Sequence, residues 1–174
     1  MVKSYPKTLS TGTNNTVIAL SETEAGKLFS GDTRSDIGSE AEKMKFANKV
    51  NDLVVKFIRL EIDENTNSDM LVMERLYPMD FRAYEILKRE LWFEVFEDEL
   101  IQLHNAGFVH RYIKRPAEIS GQPYDNILLT SDGLRLIDLG ISAIKDIVGE
   151  KLFEKYIIEE MKDVKEFKVY FLSR

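Results

Sequence analysis

The chain has 174 residues, of which 44% are hydrophobic and 31% charged, and a formal net charge of −6. That length and balance predict one compact unit and exclude disordered and collagen-like classes, while the acidity opposes general nucleic-acid binding, which needs a basic surface to displace counterions. With no cysteine and two histidines, disulfides, thiolate nucleophiles and cysteine-based zinc sites are excluded, and a hard, oxygen-ligated ion such as magnesium is the one metal left.

Residues 9 to 30 read as strands. Thr16-Val17-Ile18-Ala19-Leu20 is β-branched and apolar, and after a polar stretch Ala25-Gly26-Lys27-Leu28-Phe29 is its predicted hairpin partner. Ser39-Glu40-Ala41-Glu42 has the pattern of a capping box, and apolar residues at Ala41, Met44, Ala47 and Val50 predict a helix with one buried stripe. Residues 53 to 62 and 70 to 74 read as two strands around a polar turn. From Tyr77-Pro78 the character changes. A helix is expected over 80 to 105, closed by Gly107, and this is the expected boundary between a first unit, 1 to 76, and a second, 77 to 174. Beyond a loop, Asn126 to Thr130, the turn Ser131-Asp132-Gly133 and Leu134 to Ile137 form a tight hairpin. From Ser142 onward, spaced apolar residues mark one or two closing helices, with Gly149 as a break and Glu150 to Lys168 as a solvated face.

Chemistry concentrates in three segments: LHNAGFVHRYIKRP, YDNILLT and LRLIDLGIS. Taken in order across residues 103 to 142, they resemble the helix end, catalytic loop, strand pair and magnesium-binding D-F-G segment of the protein-kinase family. The resemblance implies an α+β, minimal two-lobed kinase-like fold, of the pared-down type found in phages and bacterial effectors. It further implies that ATP and Mg2+ are the cofactors, with Asn126 and Asp138 as the oxygen ligands of the metal. His110 and Arg111 match the family's H-R pair, which supports the loop, and Lys114 matches the lysine that approaches the transferred phosphate.

Two departures stand out. Where the family places the aspartate that accepts the substrate hydroxyl proton, this chain has Tyr112, a phenol with a reference pKa of about 10. It is either a packed loop aromatic whose hydroxyl finds one partner or the change that impairs an otherwise competent site. Residues 113 to 125 also intervene before Asn126, where the family has four; Glu118 and Asp125 are carboxylates within that insert, at other spacings.

The first half resembles a kinase N-lobe less specifically. Residues 9 to 17 look like a phosphate-covering loop that keeps one glycine, Gly12. Ala25-Gly26-Lys27 resembles the A-x-K strand, which makes Lys27 either the phosphate-contacting lysine or a surface lysine beside a turn. Its expected partner is Glu42, which alternatively only caps its helix. LVMERL, residues 71 to 76, looks like the strand and hinge at the adenine, with Met73 behind the base and the backbone of Glu74 to Leu76 facing it. After Gly140 the family's long activation segment and A-P-E motif are not recognisable.

The resemblance implies ATP-dependent transfer of a phosphoryl group to Ser or Thr hydroxyls of an unidentified protein, impaired by Tyr112. The alternatives are a pseudokinase that works as a nucleotide-binding or interaction scaffold, and a small-molecule kinase. With no run of about 18 apolar residues and no apolar leader core, no membrane partner is expected, and with the acidic balance no nucleic acid; a cytoplasmic location is expected.

Overall fold

A computed structural model describes residues 4–11, 15–29, 37–116 and 122–174. Five strands form one antiparallel sheet: β1 (Lys7–Thr11), β2 (Asn15–Ala19), β3 (Glu24–Phe29), β4 (Phe57–Asp63) and β5 (Ser68–Glu74), in the order β1-β2-β3-β5-β4. The predicted hairpin is β2–β3, with Val17 opposite Lys27 and Ala19 opposite Ala25. β3 pairs next with β5, so Ala25 faces Met73 and Lys27 faces Leu71. Gly26 lies in the middle of β3, where a Cβ would come within 2.5 Å of the Met70 sulfur; a side chain there would force that thioether to shift.

Helix α1 (Ile37–Asn48) buries Ala41, Met44 and Ala47, as its apolar spacing predicts. It begins before Ser39, however, so Ser39 is inside the helix rather than its cap. The apolar run from Leu53 is also not one strand. Leu53, Val54 and Val55 leave the sheet and are all buried, with Val54 bridging Leu136 and backbone bonds in both directions between residues 53–55 and Leu136. Burying three apolar side chains outweighs continuing a strand whose outer residues are exposed.

A short 3₁₀ turn, Phe81–Ala83, precedes α2 (Ile86–Ala106), so the helix expected from 80 is interrupted at Tyr84. Gly107 closes α2 at φ 99° with its N–H bonded to the His104 carbonyl, a left-handed cap that a side chain would strain. Strand β6 (Phe108–Val109) pairs with β9 (Ala143–Ile144), and β7 (Ile127–Thr130) pairs with β8 (Gly133–Leu136) as the expected hairpin. Helices α3 (Lys145–Val148) and α4 (Glu150–Phe171) follow, divided at Gly149.

A single main core joins the two halves: Met44 and Ala47 of α1, Leu71 of β5, Phe93, Phe96 and Leu100 of α2, Leu136 of β8, Leu139, and Val164, Phe167 and Phe171 of α4. None of the helices among the described residues is long and apolar enough to cross a membrane.

Candidate nucleotide and phosphoryl-transfer site

The hairpin β7–β8 brings Asn126 and Asp138 to the same open end. The Ile137 N–H, one residue before Asp138, donates to the Asn126 carbonyl at 3.0 Å. The Asn126 amide nitrogen donates to the Tyr112 carbonyl at 3.1 Å, which leaves the amide oxygen available as a ligand. Asp138 has φ 61°, a left-handed conformation that aspartate tolerates, and its side chain is 38% exposed.

Across from it stands Lys27. Its ammonium lies 2.8 Å from Glu40 Oε1 and 3.5 Å from Asp138 Oδ1, and its side chain is 7% exposed. The helix partner of Lys27 is therefore Glu40, not Glu42; Glu42 is exposed and bonds Lys45. The reason is helical phase: Glu40 lies four residues before Met44 and seven before Ala47, on the buried stripe, whereas Glu42 lies on the opposite face. The cap explanation of Glu42 falls as well, since Ser39 is not a cap. The same Glu40 oxygen accepts the Leu139 N–H at 3.2 Å, and Lys43 donates to the Gly140 carbonyl at 3.1 Å, so α1 grips the Asp138-Leu139-Gly140 segment directly. Glu40 Oε2 is buried and has no partner among the described residues.

The 110–112 turn is held from below by α4. His110 is fully buried; its Nε2 bonds the Ile137 carbonyl at 2.8 Å and its Nδ1 accepts the Tyr112 N–H at 3.1 Å, which fixes the proton on Nε2. Arg111 has φ 73°, uncommon for a residue with a side chain. Three contacts hold it there: its N–H donates to Glu160 Oε1 at 2.7 Å, its guanidinium donates to the Ile141 carbonyl, and the same group lies 3.7 Å over the Tyr156 ring. Glu160 was not foreseen from the sequence, where it reads as part of a charged surface helix. In the structure its side chain is fully buried, and it also meets His104 Nε2 at 2.6 Å. Its signal was its phase, four residues before Val164 and seven before Phe167, on the core-facing side.

Tyr112 is half-buried, yet it belongs to none of the hydrophobic clusters and to no aromatic pair, and its hydroxyl has no hydrogen-bond partner among the described residues. The expectation of a packed aromatic with a bonded hydroxyl is not met. Lys114 turns the other way, to Glu166 of α4 at 2.6 Å; that bond raises the lysine pKa and lowers that of Glu166. Asp125 is paired with Arg115 at 2.7 Å. Gly12 and Glu118 lie outside the described residues.

At the end of β5, Met73 is half-buried against the main core. The Glu74 carboxylate accepts the Lys56 N–H and a bond from Arg135, which also donates to the Val54 carbonyl. The N–H groups of Glu74 and Arg75 are taken by Lys56 and Thr23 carbonyls, while that of Leu76 has no partner among the described residues.

One carboxylate and one amide oxygen are hard donors suited to magnesium, and no group of three or more His, Cys, Asp or Glu side chains poised for a metal occurs among the described residues. Such a pair fits an ion that completes its shell with substrate phosphates and water.

No family model matches the sequence, and no curated protein matches it significantly. Its fold is similar to the solved structure of the Cydia pomonella granulovirus kinase, PK-1, with a TM-score of 0.57 and 17% identity over 79% of this chain and 53% of that one. The chain thus spans about half the length of that kinase. Five antiparallel strands, a helix that reaches the Asp138 segment, and a hairpin carrying Asn126 compose an α+β, protein-kinase-like fold.

Proposed function

We propose that this protein binds ATP with Mg2+ and belongs functionally with the phosphotransferases, with Ser or Thr hydroxyls as the acceptor class and transfer to an external acceptor impaired by Tyr112. The observation that carries this reading is Lys27 held between Glu40 and Asp138, a buried cation placed by two carboxylates from different elements. A cation so placed offers charge to phosphate oxygens, and phosphoryl transfer is catalysed mainly by positioning and neutralisation. Asn126 and Asp138 would hold the metal, and the free Leu76 N–H would serve the edge of the base, with Met73 beside it. The units 1–76 and 77–174 would be the two lobes.

The departures favour a second reading in which nucleotide is bound but not turned over. Tyr112 carries no carboxylate, and Lys114 is engaged by Glu166 rather than by the cleft. The two readings separate in one experiment. A thermal-shift titration with Mg-ATP is expected to stabilise the chain, by about 2.7 kcal/mol at a hundred times the dissociation constant, and Asp138→Ala is expected to abolish the Mg-dependent part. Transfer of labelled γ-phosphate to a protein acceptor by Tyr112→Asp supports the phosphotransferase reading. Binding with no transfer in either form supports the scaffold, and no shift at all removes both.

A further inference from the structure

We propose that Tyr112 is itself the phosphoryl acceptor, so that the chain modifies its own catalytic loop in cis. This rests on the nucleotide-site reading above and goes further, since it names the substrate hydroxyl.

The argument begins with what the backbone fixes. Residue 112 cannot shift along the loop: its N–H is bonded to His110, its carbonyl to Asn126, and the preceding residue is anchored to Glu160. Through His110 and Ile137 the same network reaches the residue next to Asp138. The Tyr112 backbone is therefore one hydrogen bond from Asn126, and two hydrogen bonds and a peptide link from Asp138.

A carboxylate at this position would hold an acceptor hydroxyl one hydrogen bond beyond its own oxygen, about 2.7 Å. A phenol is longer than an aspartate side chain by a similar length. An extended tyrosine side chain is thus long enough for its oxygen to take the place of an incoming hydroxyl, and would then replace base and acceptor together.

The ring's surroundings agree. A loop tyrosine kept for packing is expected in the core with its hydroxyl satisfied, but Tyr112 joins no hydrophobic cluster and its hydroxyl has no partner among the described residues. Its hydroxyl is available.

In the step itself the phenolic oxygen forms a bond to the γ-phosphorus of a nucleoside triphosphate as the bond between that phosphorus and the β–γ bridging oxygen breaks. The bridging oxygen keeps the electron pair and leaves as the nucleoside diphosphate, and the phenolic proton passes to water. A loose transition state needs little prior deprotonation of the acceptor, so a phenol can serve without a carboxylate beside it. Transfer occurs once per chain, because the product is attached to the site that made it.

The test uses the full chain with Mg-ATP, site mapping by mass spectrometry, and a separate binding measurement with a non-hydrolysable triphosphate. Phosphotyrosine at residue 112, approaching one per chain at a rate unchanged over a tenfold dilution, is the expected result, with the label lost in Tyr112→Phe. The phosphorylated chain should also show a weaker thermal shift with the non-hydrolysable triphosphate than the unmodified chain, since a phosphate dianion now occupies the site. Binding without phosphate at Tyr112 overturns this inference and leaves the nucleotide site standing. A rate that rises with protein concentration overturns it too, since transfer then occurs between chains. No binding overturns both.

Discussion

Glu160 accepts the Arg111 N–H at 2.7 Å from the middle of α4, 49 residues further along the chain. One buried carboxylate thereby supports a backbone turn that holds φ 73° at Arg111 and sets the position of Tyr112. Left-handed geometry at such a residue costs about 1–3 kcal/mol and persists where the surroundings over-determine it.

Glu160→Ala is therefore expected to be among the most damaging single changes, because it leaves the buried His104 and the part-buried Arg111 N–H without their acceptor. Each unsatisfied group costs about 1–3 kcal/mol, so a loss of about 3 kcal/mol or more in chemical denaturation is expected. Glu160→Gln keeps an acceptor oxygen and should lose less. Equal losses would show that the carboxylate supports nothing in particular.

Lys27 and Glu40 should behave as a coupled pair. Removing one member of a buried ion pair costs about 3–5 kcal/mol, so Lys27→Met and Glu40→Gln are each expected to be strongly destabilising and the double variant less so than their sum. Glu42→Gln, on the exposed face, should fall within about 0.5 kcal/mol of the parent. A Glu42 effect as large as that of Glu40 would contradict the assignment.

Gly26 and Met70 give a steric counterpart. Gly26→Ala places a methyl against the Met70 sulfur and should cost about 1–3 kcal/mol through overpacking. In the background of Met70→Ala the same change should cost much less, a non-additivity readable from two pairs of melts.

The Lys114–Glu166 pair supplies a pH dependence of known sign. The folded Glu166 pKa is depressed, chiefly by its hydrogen bond to Lys114, so its contribution is present above the ordinary glutamate range and lost as pH falls through the folded value. The Lys114 pKa is raised by the same bond, and that contribution disappears as pH rises through its folded value. Stability of the parent relative to Glu166→Gln should thus be greatest at neutral pH and converge in acid; both groups are exposed, so the difference is small. A gap that widens in acid would reverse the assignment.

How much of this was legible beforehand varied by element. Strands β2, β3 and β5, the β7–β8 hairpin and the closures at Gly107 and Gly149 followed from alternation and turn chemistry, because those signals are local. The apolar run from Leu53 misled. Its first three residues are consumed by contacts with Leu136, more than eighty positions away, and no window of sequence contains that partner. Glu40 and Glu42 differ by two residues in a helix whose start was misplaced by a capping-box pattern, and a two-residue slip turns a helix face by more than half a turn. Glu160 looked like one more charge in a charged helix, because exposure depends on which face meets the core.

Residue identity alone determined which chemistry this chain can attempt: hard oxygen donors at Asn126 and Asp138, a cation at Lys27, a phenol in place of a carboxylate at Tyr112, and no thiol anywhere. The folded arrangement decided which carboxylate meets Lys27, what holds the Arg111 turn, and that Lys114 faces α4. Donor type is a property of a single side chain, whereas partnership depends on distances between segments that only long-range packing brings together.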